Sequence, residues 1–415
     1  MTPPQPRITF VIGNLACGGI QRVTVWLAQG LMARGYPVSV ITLATPDTDF
    51  FKLPAGVTRL SVGMRGRAPS GLWKLPSLMM KRQKRLRALI ENTAPDVVIA
   101  RAPMAAVQTS LAMGRRRWPL IVTEHGDKPL RQKSRPREAW RKWLWYKLRR
   151  VAYWRATRLV SVCAAVDEAF GWVPAERRVV IHNPCRTGAL AATADLSSDR
   201  LSDLSSDLHA EHHWIVSTGR LSHAKGYDVL LDAFARVADR FPEWELVILG
   251  DGELRDELIE RAWRLNLHSR VVFAGAVQDP ASFLVRAELF ALASRYEGFP
   301  NAHIEALSLG VPVVATDCPT RPSAGGRIGP AHGGVHELVE HGVTGLLVPP
   351  EDPVAFASAL ETLLGDAQKR GQMATNALRV REKFAPEKTL DAWERVIASA
   401  VGGRMPPRDP LVAPS

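Results

Sequence analysis

Cysteine is scarce in this chain: Cys17, Cys163, Cys185 and Cys318 stand far apart, and no two form a Cys-x-x-Cys pair. That spacing argues against a disulfide framework and against a thiolate zinc module, so the four are expected as reduced thiols. No apolar run approaches the roughly 20 residues that a membrane-spanning helix needs, and Met1 to Arg7 lacks the apolar stretch of a secretory signal. A cytoplasmic protein is expected. Neither half carries the Gly-x-Gly-x-x-Gly fingerprint, which leaves an NAD-dependent oxidoreductase as a weak reading. Acidic residues are sparse in the first half. Residues 1 to 190 hold 32 Lys and Arg against 10 Asp and Glu, a balance of +22, whereas the remainder holds 22 against 31, a balance of −9, and the two sum to +13. A one-sided positive field attracts polyanions, whether nucleic acid or an anionic bilayer, and carries no information about fold.

What is present reads as a folded α/β protein. At 415 residues the chain exceeds what one core organises, so two domains of roughly 200 residues are expected. Ile8 to Ile12 is a short apolar run, Gly13 to Gly19 a turn, and Gln21 to Arg34 has helical spacing. Val38 to Leu43, Asp96 to Ala100, Leu120 to Thr123, Leu159 to Cys163 and Val179 to His182 are further runs of the parallel-sheet type. They define a first domain over 1–186. The Ala, Ser and Asp rich stretch 187–213 reads as a linker. A second domain over 214–386 follows, with strand-like runs at Trp214 to Thr218, Glu245 to Leu249, Arg270 to Ala274, Leu289 to Ala293, Pro312 to Thr316 and Gly345 to Val348. An amphipathic helix over 387–401 is expected to pack back on the first domain, and the Pro-rich tail over 402–415 to be disordered.

Ligands of open α/β sheets bind at the carboxyl ends of strands, so the residues just after each run matter most. Gly13-Asn14-Leu15-Ala16-Cys17-Gly18-Gly19 leads into a helix whose N-terminal amides can receive a diphosphate; a tight turn without a ligand is the alternative. It lacks the Lys-Ser/Thr of a P-loop. After Trp214 to Thr218 come Gly219 and Arg220, with Lys225 five positions on. A guanidinium and an ammonium there can neutralise a diphosphate leaving group without a metal, although two solvated surface cations would look the same. The sharpest segment is Ser294-Arg295-Tyr296-Glu297-Gly298-Phe299-Pro300-Asn301, continuing through Glu305. Its Glu-x7-Glu spacing puts Glu297 in a loop at the sheet edge and Glu305 in the next helix, where a carboxylate accepts bonds from the vicinal hydroxyls of a ribose.

These motifs resemble those of the family 4 retaining glycosyltransferases of the GT-B fold. The likeness spans nearly the whole chain: Arg220 and Lys225, Gly250-Asp251-Gly252, the Glu297 to Glu305 segment, Leu307 to Thr316 and Gly342 to Pro349 fall in the family's order and spacing. The resemblance implies two Rossmann-like domains facing each other across a cleft. It also implies that Gly18 and Gly19 approach the donor phosphates, with Gly219 and Gly250 in the nucleotide pocket. Arg220 and Lys225 would then bind the diphosphate, and Glu297 the hydroxyls of the donor sugar. Glu305 would hold the ribose, with the amides around Phe299, Pro300 and Asn301 beside the phosphates. His125, in Thr123-Glu124-His125-Gly126, matches the family's N-domain histidine near the reacting carbon and is assigned to positioning and charge stabilisation. No cofactor and no metal are expected, and a UDP-sugar ranks ahead of a GDP-sugar as donor. Where many relatives run on as Gly-Pro-x-Glu-Ile-Leu, Arg321 to Arg327 depart from the pattern, which leaves the sugar open; Glu337 resembles the other version of that motif. A sugar-nucleotide epimerase of the same fold and a non-catalytic donor binder are the alternatives.

Residues 131 to 158 hold eleven Lys or Arg and one acidic residue, Glu138, with Trp140, Trp143, Trp145, Tyr146, Tyr153 and Trp154 among them. On a helix, Trp140, Trp143, Leu144, Leu148 and Val151 form a stripe flanked by Arg141, Lys142, Arg149 and Arg150, the composition of a helix lying in a membrane interface. A core-facing stripe with a solvated basic back is the alternative. Arg65 to Arg87 adds eight cations and no acidic residue. The expected partners are a nucleotide-sugar donor, a lipid-linked or glycan acceptor and an anionic membrane surface on the inner face of the cell membrane. Nucleic acid is not expected, since no recognisable module for it is present.

Overall fold

In a computed structural model the chain forms two compact units, Met1–His182 with Glu387–Ser415, and Asn183–Pro386. The structure describes residues 4–64, 75–114, 118–126, 136–185, 211–320 and 332–402. Most of the expected linker, the tail after 402, the departure at Arg321 to Arg327 and the first part of the Arg65 to Arg87 cluster lie outside these residues.

The first unit is built on a parallel sheet of β1 (Ile8–Ile12), β2 (Val38–Ala44), β3 (Thr58–Met64), β4 (Val97–Arg101), β5 (Leu120–Glu124), β6 (Arg158–Ser161) and β7 (Arg178–Val180), in the order β3-β2-β1-β4-β5-β6-β7. β1, β4 and β5 are buried along their whole length, as continuous apolar runs in a sheet covered on both faces must be. The edge strand β3 was not expected from the sequence. Polar Thr58, Arg59 and Ser61 break its apolar pattern, and an edge strand needs no second covered face.

The helix Gly19–Ala33 follows β1 and buries Val23, Leu27 and Leu31, one residue per turn along a single face. The helix Pro386–Gly402 completes this unit's core. Its Trp393, Val396, Ile397 and Ala400 join one buried cluster with Phe10, Leu27, Ile99 and Val160. Burying each large apolar side chain contributes about 1.5–3 kcal/mol, so the helix supplies a substantial part of the unit's stability. Polar clasps fix its rotation. Arg34 reaches Asp391 and Glu394 at 2.6 Å each, and the buried Arg158 donates to the Ser399 hydroxyl and carbonyl oxygens, both at 3.1 Å. Gly30 permits the crossing: a Cβ there would lie 2.7 Å from a Leu390 methyl.

The second unit repeats the architecture with β8 (His213–Thr218), β9 (Trp244–Leu249), β10 (Val271–Gly275), β11 (Ala287–Leu292), β12 (Val313–Thr316) and β13 (Gly345–Val348), in the order β10-β9-β8-β11-β12-β13. β8 begins at His213, inside the stretch expected as linker. Counted within each unit, the sheets run 3-2-1-4-5-6-7 and 3-2-1-4-5-6, so the strand order reverses between β1 and β4 and again between β8 and β11. That reversal is where the crossovers diverge to opposite faces and leave a crevice at the strands' carboxyl ends.

Candidate active site

In the second unit, the chain leaving β8 and the chain leaving β11 meet at this reversal. After β8 come Gly219, Arg220 and a short turn, His223–Lys225, closed by Gly226. Gly226 has φ +60°, and a Cβ there would lie 1.9 Å from the Ala293 carbonyl oxygen at the end of β11, so only glycine lets the two loops touch. Gly250, at φ +144°, stands against the Gly219 carbonyl oxygen in the same way. Gly219 and Gly250 therefore act here as contact points between backbones.

This closeness brings Lys225 to Glu297. The ammonium donates to Glu297 Oε1, which also accepts from the Ser294 hydroxyl at 2.8 Å. Both side chains are largely buried, 22% and 11% exposed. Burial alone would push the Glu297 carboxyl up, but the Lys225 charge and the bonds from Lys225 and Ser294 win and hold it below the usual range. The site thus keeps an ionised carboxylate and a cation side by side, away from bulk water.

Arg295 fixes this loop and was missed from the sequence. It is 10% exposed and grips Asp228 in a fork at 2.9 and 2.7 Å, reaches Glu351, and donates to the His223 carbonyl oxygen at 2.8 Å. Its own N–H donates to the Ala224 carbonyl oxygen at 2.8 Å. One guanidinium therefore ties the Glu297 loop to the turn that carries Lys225. Asp228, which burial would push up, is held low by that bond.

The helix Asn301–Ser308 begins directly after Phe299 and Pro300. Asn301 accepts from Asn183 Nδ2 at 2.8 Å, a partner 118 positions away that the sequence reading did not single out. Phe299 is buried, edge-on to Phe384 at 5.4 Å. Glu305 lies within this helix and is buried. His303, on the same helix, is fully buried edge-on to Phe290, and burial pushes its imidazole down to about 4. Arg220 sits apart in character: its side chain is 74% exposed, and its Nε donates to Glu253 at 3.2 Å.

In the first unit, Gly18 and Gly19 open the helix after β1, and Asn14 accepts from the Ala16 amide and from Gln21. No acidic side chain occupies that helix's first turn, which leaves its positive end available to an anion. His125 follows β5, half-buried, its Nε2 3.0 Å from the Thr123 hydroxyl. Burial and the nearby Arg101 charge hold its imidazole well below the usual value, so it is neutral at pH 7. Arg101, at the end of β4, is a second residue the sequence reading missed. It is 2% exposed, donates to Thr24 at 3.0 Å and lies 5.7 Å over the Trp393 ring, while its Nη2 has no partner among the described residues. Burial pushes this guanidinium down to about 9.

The helix Pro136–Arg155 corrects one assignment. Arg149 does not flank an outer stripe; it turns inward, pairs with the fully buried Glu124 at 3.0 Å and packs over Tyr153 and Phe170. A buried carboxylate at a strand end requires a counter-charge, and Arg149 is placed to supply it. Trp140, Trp143, Leu144, Tyr146, Val151 and Trp154 are exposed, whereas Ala152 and Tyr153 face the core. Among the described residues no helix is long and apolar enough to cross a membrane. None of the four cysteines is joined in a disulfide.

Residues 18–184 match the family profile described as a glycosyl transferase 4-like domain, and residues 212–366 match that of glycosyl transferases group 1. A relative from Campylobacter jejuni, GalNAc-alpha-(1->4)-GalNAc-alpha-(1->3)-diNAcBac-PP-undecaprenol alpha-1,4-N-acetyl-D-galactosaminyltransferase, is 28% identical over 94% of this chain and 98% of its own. Among solved structures, Anabaena HepE in complex with UDP-glucose is similar with a TM-score of 0.72 at 23% identity, covering 96% of this chain and 100% of that one. Sucrose-phosphate synthase from Thermosynechococcus elongatus is similar with a TM-score of 0.76 at 20% identity, with the same coverage.

Proposed function

The chain belongs to the family 4 glycosyltransferases of the GT-B fold, and from that premise we propose which sugar transfer it performs. Our reading is a retaining transfer of a hexose or N-acetylhexosamine from a nucleotide-diphosphate sugar, a UDP-sugar ahead of a GDP-sugar, to a lipid-linked glycan in cell-surface polysaccharide synthesis. The observation that carries it is the buried Lys225–Glu297 pair between the ends of β8 and β11. In this reading Glu297 accepts from the donor sugar's hydroxyls, and Glu305 from the ribose. Lys225, with Arg220 swung from Glu253, neutralises the diphosphate. The bond from the anomeric carbon to the diphosphate breaks, and the acceptor oxygen bonds to that carbon on the same face. The acceptor's proton passes to the departing phosphate oxygen. Charge developing on the leaving group is met by these two side-chain cations, and no step is routed through a metal. His125, neutral, orients the sugar as a hydrogen-bonding group and takes no proton from the acceptor.

A HepE structure with UDP-glucose supports the UDP-sugar preference, and the acceptor named for the Campylobacter jejuni relative supports a polyprenyl-diphosphate glycan here. Exposed Trp140, Trp143 and Trp154 on a basic helix favour a peripheral position on the inner face of the membrane over the core-facing alternative. Incubating the full chain with a set of UDP- and GDP-sugars and a polyprenyl-diphosphate glycan should release nucleoside diphosphate only when donor and acceptor are both present. NMR of the product should show the donor's anomeric configuration kept. Epimer formation without acceptor would establish the epimerase instead. Binding to anionic vesicles should weaken with salt and on Trp143→Ala combined with Trp154→Ala.

A further inference from the structure

We propose that the second unit carries a site for a divalent transition metal of the zinc class, built from Asp317, His332 and His336. Each of the three offers one ligand atom, and these atoms lie within 4.8 Å of one another. Both imidazoles address the same carboxylate oxygen through Nδ1: His332 at 2.6 Å and His336 at 3.3 Å from Asp317 Oδ2. The two rings stack with centroids 4.1 Å apart. Zinc bonds to nitrogen and oxygen are about 2.0–2.2 Å long, so tetrahedral ligands stand about 3.4 Å apart, and the three atoms need to move by an ångström or less to share an ion. Two imidazoles with one carboxylate make a nitrogen-rich set that suits zinc and its neighbours better than magnesium or calcium. A second observation concerns Asp317 itself. Its Oδ1 is buried and has no hydrogen-bond partner among the described residues, so a cation held at Oδ2 would offset part of the cost of burying this carboxylate.

Three protein ligands leave a fourth position for water or an anion. Asp317 follows β12, and the two histidines bracket Gly333 and Gly334 at the start of the helix Gly334–Leu338. That start is packed hard on the Glu297 loop: a Cβ on Gly334 would lie 1.8 Å from the Gly298 carbonyl oxygen, and one on Gly333 2.4 Å from that of Cys318. An ion would therefore staple the strand end to the helix that backs the loop. It would stabilise the second unit in proportion to its affinity. The proposal does not rest on the sugar-transfer reading, since none of the three residues takes part in it.

Zinc titration of the tag-free full chain against a chromogenic chelator should give one bound equivalent. Cobalt(II) in place of zinc should give the visible absorption of a four-coordinate nitrogen and oxygen site. Zinc should raise the melting temperature of the wild type. His332→Ala and His336→Ala, both at exposed side chains, should melt like the wild type without metal but take up no equivalent and show no zinc-dependent rise. Asp317→Asn should bind more weakly. A wild-type chain that takes up no zinc, or histidine variants that still hold one equivalent with the same cobalt spectrum, would overturn the proposal.

Discussion

The two units share one sheet order and differ in what they place at its reversal. The second unit, with 19 Lys and Arg against 27 Asp and Glu over residues 183–386, concentrates opposite charges: Lys225 against Glu297, and Arg295 against Asp228 and Glu351. The first unit, strongly basic overall, places the buried Arg101 guanidinium at the end of β4 and the neutral His125 imidazole after β5, where the one buried carboxylate, Glu124, is already matched by Arg149. A shared scaffold thus sets where a ligand can sit, while loop chemistry sets which part of it each unit can hold. The units also differ in how they are closed. The second is assembled from one continuous stretch, whereas the first depends on a helix that follows it by some 200 positions.

The sharpest way to break this comparison is Trp393→Ala. It empties a core position of the first unit alone and is expected to cost that unit about 3–5 kcal/mol. Two-probe thermal unfolding should then show the first unit melting early and the second unchanged; equal shifts in both would contradict the division. Next is Lys225→Ala, which removes leaving-group stabilisation and strips Glu297 of its counter-charge. Its kcat is expected to fall by roughly a hundredfold to a thousandfold, read from nucleoside diphosphate release. Glu305→Ala should act on binding instead, raising the donor KM or Kd by roughly tenfold to a hundredfold with a smaller change in kcat. If both variants kept wild-type turnover and affinity, the charged pair would belong to the fold and not to the reaction.

The smallest effect concerns acid. His303 is buried neutral, with its pKa moved from 6.5 to about 4. Above pH 6.5 neither folded nor unfolded chain carries that proton, so stability is independent of it. Below 6.5 the unfolded chain binds the proton first, and stability falls as the pH drops toward 4, by about 2 kcal/mol at pH 5. His303→Leu should remove this loss, seen as urea midpoints of the second unit that differ less between pH 7 and pH 5 than in the wild type.

Much of this was legible in the sequence because parallel strands buried on both faces are unbroken apolar runs. Each expected run corresponds to a strand within two residues at either end, and the Ile8–Ile12 and Gly345–Val348 strands agree at both. β3 escaped because an edge strand may be half polar. The segment from Ser294 to Glu305 pointed to a site because its parts are close in sequence. Arg295, Asn183 and Arg101 did not, since what makes each matter stands 67, 118 and 77 positions away, and a solvated cation or amide reads the same as a buried one. Arg149 misled for that reason: its neighbours in sequence are surface residues, and its partner Glu124 lies on a different element.

The placing of the helix Pro386–Gly402 within the first unit bears on how the protein is made. When the ribosome has finished residue 182, all seven strands of the first sheet exist, yet the surface meant for Trp393 and Ile397 is still bare. At about 5–20 residues per second, the remaining stretch takes on the order of ten to forty seconds to emerge. Throughout that interval the nascent first half must be shielded by a chaperone or tolerate an open greasy flank, while the second unit, encoded in between, can fold ahead of it.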